Sequence, residues 1–318
     1  MTILPIVFLV LLGVELLYFR IADRFNIIDK PNERSSHTKI TLRGGGIIFP
    51  ISVLLYTVYS GNYIWFTLGL VAAATISFLD DILTLSGKIR ILVHLAAVSL
   101  LFHQVELFNY YWVWIIMGYI LVIGTINAYN FMDGINGITG AYSLSILIPL
   151  FLLNLDYKFV DESLLIFIVA SVMVFLIFNF RKRAKCFAGD VGSVSMAFIV
   201  LFLITKLIIA TGDYKYILLL AVYGVDSVLT IVHRLFLKEN IFKAHRKHLY
   251  QYLSNEMKLP HLVVSTLYAI IQFGIAIWLI NSDDAMLWWQ PVAIFIILGS
   301  TYIIVKYLIL SGKLKPLA

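Results

Sequence analysis

The sequence predicts an all-α, polytopic membrane protein with ten to eleven transmembrane helices, and three observations carry that reading. Of 318 residues, 61 % are hydrophobic and only 13 % charged, with a mean hydropathy of +0.94. So few charges could not cover a surface facing water. Apolar runs recur along the whole chain, each long enough to cross a hydrocarbon core of roughly 30 Å as a helix, the conformation that satisfies the backbone there. Lys and Arg, finally, gather in alternate connections, as cytoplasmic loops do.

The runs number about eleven: near 3–19, 44–59, 63–79, 91–107, 110–127, 138–155, 163–180, 191–211, 215–233, 261–280 and 291–311. The first has no basic segment ahead of it and no small-residue cleavage pattern, and Arg20 and Arg24 follow it, so it is expected to persist as a helix. With the N-terminus outside, twenty Lys and Arg fall on inward connections against Lys158 and Lys215 outside. The net charge of +6 therefore reads as contact with anionic headgroups and phosphorylated ligands rather than nucleic acid. Cys186 is the single cysteine, which excludes an intrachain disulfide. No soluble domain, linker or repeat interrupts the chain, so residues 1–318 read as one helical membrane domain.

Five inward connections carry polar chemistry. Loop 1 runs from Asp29 through His37 to Arg43-Gly44-Gly45-Gly46, where successive glycines would let the backbone approach an anion. The alternative is a loop held to headgroups by its arginines. The third run ends in Asp80-Asp81, followed by Lys88 and Arg90. Adjacent carboxylates repel unless a divalent cation or a shared proton offsets them, although a pair of solvated helix-end acids is the plainer reading.

The fifth run ends in Asn127, Asn130, Asp133-Gly134 and Asn136-Gly137. If its helix continues, 127, 130 and 133 share one face. Asp-Gly and Asn-Gly are ordinary turn sequences, but Asn127 and Asn130 would be costly in lipid without partners. Ahead of the eighth run stands Phe187-Ala-Gly189-Asp190-Val-Gly192-Ser193, preceded by Arg181, Lys182, Arg183 and Lys185, a mixture suited to a metal-bound polyphosphate. A simple helix cap and an interfacial aromatic are the alternatives. The last large loop holds His245, Arg246 and His248, for which phosphate contacts are favoured over a transition metal. His94, His103, His233 and His261 are scattered and read as core or interface residues, and Asp226 as a buried acid partnered by Thr230.

Taken together and in order, Asp80-Asp81, Asn127-x-x-Asn130-Phe-Met-Asp133-Gly134 and Gly189-Asp190-Val-Gly192-Ser193 resemble the polyprenyl-phosphate N-acetylhexosamine-1-phosphate transferases, the match running from about residue 29 to 251. The resemblance implies a UDP-HexNAc donor, an undecaprenyl phosphate acceptor, Mg²⁺ with Mn²⁺ as the alternative ion, and a site on the cytoplasmic face of a bacterial inner membrane. By motif position it implies Asp80, Asp81, Asp133 and Asp190 as catalytic residues, with Asp190 and Asp80 at the metal. Asn127, Asn130, Phe187, Lys88, Arg43, His245, Arg246 and His248 would contact substrate. Membrane lipids are the expected surroundings, and a homodimer is compatible. Tyr250-Gln251 departs from the tandem histidines frequent there, and Leu42 from a common proline. Loop 1 looks like that of the GlcNAc-type branch. A secondary transporter for an anionic solute is the rival from another class, and a non-catalytic partner of a polysaccharide complex a third.

Overall fold

A computed structural model describes residues 3–29, 40–83, 85–241, 245–282, 289–314 and 316. Loop 1 residues 30–39, Lys243 and Lys315, which enter the charge count above, lie outside the described residues. The helices are α1 (Ile3–Arg24), α2 (Ile48–Ser60), α3 (Ile64–Leu83), α4 (Gly87–Gln104), α5 (Trp112–Met132), α6 (Ile138–Tyr157), α7 (Glu162–Asn179), α8 (Gly189–Thr211), α9 (Ala221–Phe236), the short turn α10 (Leu249–Gln251), α11 (His261–Asn281) and α12 (Trp289–Leu310). Two short strands, β1 (Ile28–Asp29) and β2 (Thr41–Leu42), pair antiparallel.

All eleven apolar runs fall on helices, and the protein is an all-α polytopic membrane protein. Among the described residues nine helical segments are long and apolar enough to span, the seventh counting Tyr214–Phe236 as one. The expectation of ten to eleven exceeds this for two reasons. The segment 45–60 is shorter than a full crossing, and α4 carries Lys88, Arg90, His94 and His103 within its 18 residues.

The centre of the bundle is α8, apolar all round and buried without a break from Val191 to Ile204. Such a helix has no solvent or lipid face to turn outward, so its neighbours enclose it; it packs against α2, α3, α5 and α6. At the other extreme α12 buries only Tyr302 and Lys306, its remaining side chains forming an apolar surface fit for lipid.

The N-terminus of α8 is fixed by loop 1. Phe187 N–H donates to Leu42 O at 2.8 Å, Gly45 N–H to Phe187 O at 2.8 Å and Gly46 N–H to Ala188 O at 3.1 Å. The glycines thus serve backbone-to-backbone approach: the Gly45 and Gly46 amides, expected to face an anion, are spent on carbonyls of the chain. A Cβ on Gly46 would stand 2.2 Å from Gly192 Cα, and one on Gly192 2.7 Å from Gly46 Cα. Neither backbone can yield without moving Asp190. Gly46→Ala should therefore cost about 2 kcal/mol or more, as overpacking does, seen as a lowered melting temperature in detergent.

Candidate active site

Five segments meet at one end of the bundle: β2 and the glycines after it, the C-terminal end of α3, the start of α4, the C-terminal end of α5, and the chain from Cys186 into α8. Asp81, at the end of α3, is buried, and its Oδ2 accepts the backbone N–H of Asp190 at 2.9 Å. Its Oδ1 faces Arg43 Nη2 at 2.6 Å, and the same guanidinium stands 3.9 Å from Asp190 Oδ1. Tyr18 of α1 orients that arginine by donating to its carbonyl at 2.6 Å. One cation thus lies between two carboxylates that would otherwise repel. Asp80 points elsewhere, pairing with Arg90 of α4 and accepting Leu85 N–H at 2.7 Å.

Around this cluster lie three spaces. The first is a polar cavity of about 180 Å³ bordered by Arg43, Asn130, Asp133, Phe187, Asp190 and Gln251, among others. The second, of about 30 Å³, lies beside Asp80, Arg90, His94, Asn127, Asn130 and Asp190. Asn130 and Asp190 border both. The third is an apolar groove of about 750 Å³ between α5, α9 and α12, which shares Asn127 with the second cavity and has His245 at its polar end.

Asp190 thus shares the first cavity with Asp133 and the second with Asp80. Asn127, Asn130 and Asp133 are expected on one face if the helix continues; it stops at Met132 and Asp133 leaves helical geometry, so Asn130 borders one cavity with Asn127 and the other with Asp133. Asn130 Nδ2 donates to Ser193 Oγ at 3.3 Å, tying α5 to α8. Asp133 Oδ1 accepts the Thr139 hydroxyl at 2.6 Å. Its carboxyl keeps some surface on the cavity, yet burial pushes its pKa up to about 7, with Thr139 opposing the shift. Because this pKa is raised above the ordinary value of 3.8, the native state takes up a proton that the unfolded chain does not. Stability should therefore fall as pH rises from about 4 to 7. Thermal melting of Asp133→Asn across that range should show a flatter pH dependence than the parent.

Lys88 is exposed and lines neither polar cavity; Arg90, two residues on, takes the place beside Asp80. Arg181, Lys182, Arg183 and Lys185 are also off the cavities, with Arg181, Lys182, Arg183 and Lys185 exposed. Phe187 is half-buried on the first cavity, as a stacking residue requires. His245 stacks on His248 with centroids 5.0 Å apart, and burial, then His248 and Arg234, push its pKa down to about 4. It is neutral at pH 7, which fits its place on the apolar groove. His248 Nδ1 meets Asp226 Oδ1 at 3.1 Å; Arg246 belongs to the same loop and is half-buried. Asp226 has its expected partner, Thr230 Oγ1, at 3.2 Å.

His94 and His261, read from sequence as core or interface residues, border the second and first cavities. Gln251 was not singled out as a site residue either, and its Oε1 accepts His248 N–H at 3.2 Å while it borders the first cavity. For His94 a signal was present, since it stands four residues after Arg90 on one helix face.

Would a divalent ion fit? Among the described residues no three His, Cys, Asp or Glu side chains gather as a ligand set. Mg²⁺ needs no such cage, being held by one or two carboxylates with water and substrate phosphates. Asp190 is suited to that: its carboxylate makes no hydrogen bond among the described residues, borders both polar cavities, and stands beside buried Asp81.

Fold and site define a polytopic membrane protein with a polar, charge-lined pocket at one end of its helices. Residues 63–208, from α3 through most of α8, match the family model of glycosyl transferase family 4, in keeping with the resemblance carried by the motifs. The chain is 27 % identical over 93 % of its length to the "Probable undecaprenyl-phosphate N-acetylglucosaminyl 1-phosphate transferase" of Bacillus subtilis (strain 168), covering 89 % of that protein. It is 31 % identical over 48 % of its length to the phospho-N-acetylmuramoyl-pentapeptide-transferase of Thermotoga neapolitana, of which it covers 56 %. With the undecaprenyl-phosphate alpha-N-acetylglucosaminyl 1-phosphate transferase of Escherichia coli (strain K12) it shares 28 % identity over 59 % of its length, covering 57 % of that protein.

Proposed function

We propose that this protein transfers a HexNAc-1-phosphate, GlcNAc-1-phosphate first among them, from a UDP-sugar to undecaprenyl phosphate on the cytoplasmic face of a bacterial inner membrane. An oxygen of the acceptor phosphate attacks the donor's β-phosphorus, the bond to the bridging oxygen breaks, and UMP leaves with that oxygen. The product is a lipid-linked pyrophosphoryl sugar that starts a cell-surface polysaccharide. One observation carries the reading: a polar cavity and a small phosphate-sized one share Asn130 and Asp190 among their lining residues, and the small one shares Asn127 with a long apolar groove. A water-soluble donor and a lipid acceptor need that pairing of surfaces. The names of the relatives, which include undecaprenyl phosphate and N-acetylglucosaminyl 1-phosphate, point the same way.

In this reading the polyprenyl chain lies in the groove against α5 and α9, and the nucleotide-sugar fills the first cavity with uracil on Phe187. Phosphoryl transfer asks mainly for alignment and charge neutralisation. Arg43 holds Asp81 and leans on Asp190, a cation placed between the two carboxyl groups. Mg²⁺, held by Asp190, would supply neutralisation of the donor's pyrophosphate. Asp80 clamps Arg90 and is placed to orient the acceptor side. Asp133, Asn130 and Gln251 border the donor side.

The transporter reading needs ionisable groups in a path near the midplane. Asp226 is bound into the His248 loop, and Glu15 approaches Cys186 Sγ at 3.9 Å beside Gly45, at the site's end of the bundle. Both serve the site's walls. The test is purified protein with undecaprenyl phosphate, Mg²⁺ and a panel of radiolabelled UDP-HexNAc donors. Lipid-extractable label with stoichiometric UMP is expected; silence with every donor would overturn the reading.

A further inference from the structure

The second cavity is bordered by the imidazole of His94. Among the described residues His94 Nε2 is shielded from solvent and has no hydrogen-bond partner, although the ring borders a polar space. A buried polar nitrogen left unpaired costs stability, so its retention calls for a ligand. Its surroundings say which. Arg90 lies one turn earlier on the same face of α4, and is fixed by Asp80 from α3; Asp190 of α8 and Asn127 of α5 close the space. A guanidinium has five N–H donors, and the carboxylate of Asp80 engages only some of them.

We propose that His94 and Arg90 form the seat of a phosphate monoester carried by a long apolar alcohol, with His94 Nε2–H donating to a non-attacking phosphate oxygen. This rests on the reading above and assigns its acceptor phosphate to a residue pair. Size supports the assignment: about 30 Å³ has room for two waters, at the ~10–15 Å³ each needs, and therefore for phosphoryl oxygens but not for a sugar or a base. Position supports it too, since Asn127 borders both this cavity and the apolar groove, which puts a surface fit for an apolar tail beside the seat. Charge completes it, because Arg90 and an imidazole N–H offset a phosphate that Asp80 and Asp190 alone would repel.

The experiment measures equilibrium binding of undecaprenyl phosphate to the purified full-length protein without donor, with undecaprenol as the phosphate-free control. It is paired with steady-state KM values for acceptor and donor. His94→Phe should weaken undecaprenyl phosphate binding about 10-fold or more, the loss of one charge-assisted hydrogen bond, and leave undecaprenol binding unchanged. Its acceptor KM should rise in step while the donor KM stays within about twofold. His94→Gln, whose amide donates from a similar place, should recover most of the affinity. His94→Ala, which adds no bulk, should behave as the Phe variant does. Equal affinity for undecaprenyl phosphate in parent, Phe and Ala variants overturns the proposal, as does a parallel rise of both KM values. A parent that transfers nothing yet binds the lipid phosphate through His94 leaves this seat standing and ends only the transferase reading. A parent that does not distinguish undecaprenyl phosphate from undecaprenol ends the seat.

Discussion

Asp190→Asn should abolish transfer, lowering kcat by about 10³-fold or more, while the melting temperature stays within a degree or two of the parent. The split follows from what each atom of this residue does. Its backbone N–H is used structurally, donating to Asp81 Oδ2 at 2.9 Å, and the substitution keeps it. Its carboxylate makes no hydrogen bond among the described residues, stands 3.9 Å from Arg43 and borders both polar cavities. Folding therefore loses little beyond the charge at the helix start, about 0.5 kcal/mol, whereas catalysis loses the oxygen that would hold Mg²⁺. Removing a central electrostatic group costs several kcal/mol of transition-state stabilisation, and each 1.36 kcal/mol is tenfold. Asp81→Asn should behave differently, because that side chain is buried against both Arg43 and the Asp190 amide and its loss should lower activity and melting temperature together. Asp190→Asn with full transfer activity would favour a non-catalytic role in a polysaccharide complex.

What could be read in the sequence depended on whether the signal was local. The helices were legible because hydrocarbon thickness imposes a length, and Asn127 and Asn130 stood out because amides in lipid are costly. Thr230 was found as the partner of Asp226 because residues four apart on a helix are neighbours. Where the deciding fact was tertiary, sequence reasoning misplaced the emphasis. Lys88 and Arg90 look equivalent beside Asp80-Asp81, and only the phase of α4 against α3 selects Arg90. Gly45 and Gly46 satisfy the pattern of an anion loop, yet their amides bind Phe187 and Ala188, a pairing between segments more than 140 residues apart. His94 lacked a partner in sequence and was set aside; in the fold the same lack of a partner is what singles it out.

The same distinction governs Asp226, whose loss should be the most disruptive of the substitutions outside the cavities. Thr230 is one of five contacts to its carboxylate among the described residues. Oδ1 also accepts Leu249 N–H at 3.1 Å and meets His248 Nδ1 at 3.1 Å, while Oδ2 accepts the Tyr268 hydroxyl at 2.6 Å and Tyr250 N–H at 3.4 Å. One carboxylate thus gathers donors from α9, α10, α11 and the loop that carries His245. The outermost helix adds to the same knot, with Tyr302 Oη 2.7 Å from Thr230 Oγ1 and Lys306 Nζ donating to Lys247 O at 2.8 Å. Breaking a buried, fully bonded charge costs about 3–5 kcal/mol, so Asp226→Ala should unfold early or fail to accumulate. Asp226→Asn keeps the volume but turns an NH₂ toward groups that are nearly all donors. It should fold with a reduced melting temperature and lose activity about 10²-fold, because Tyr250, wedged under Gly134 with its hydroxyl on Phe131 O at 2.9 Å, transmits any shift of α10 to the Asp133 segment. Steady-state kinetics beside thermal melting checks this; an Asn variant with parental kcat and KM would show that the knot holds the helices together without setting the site.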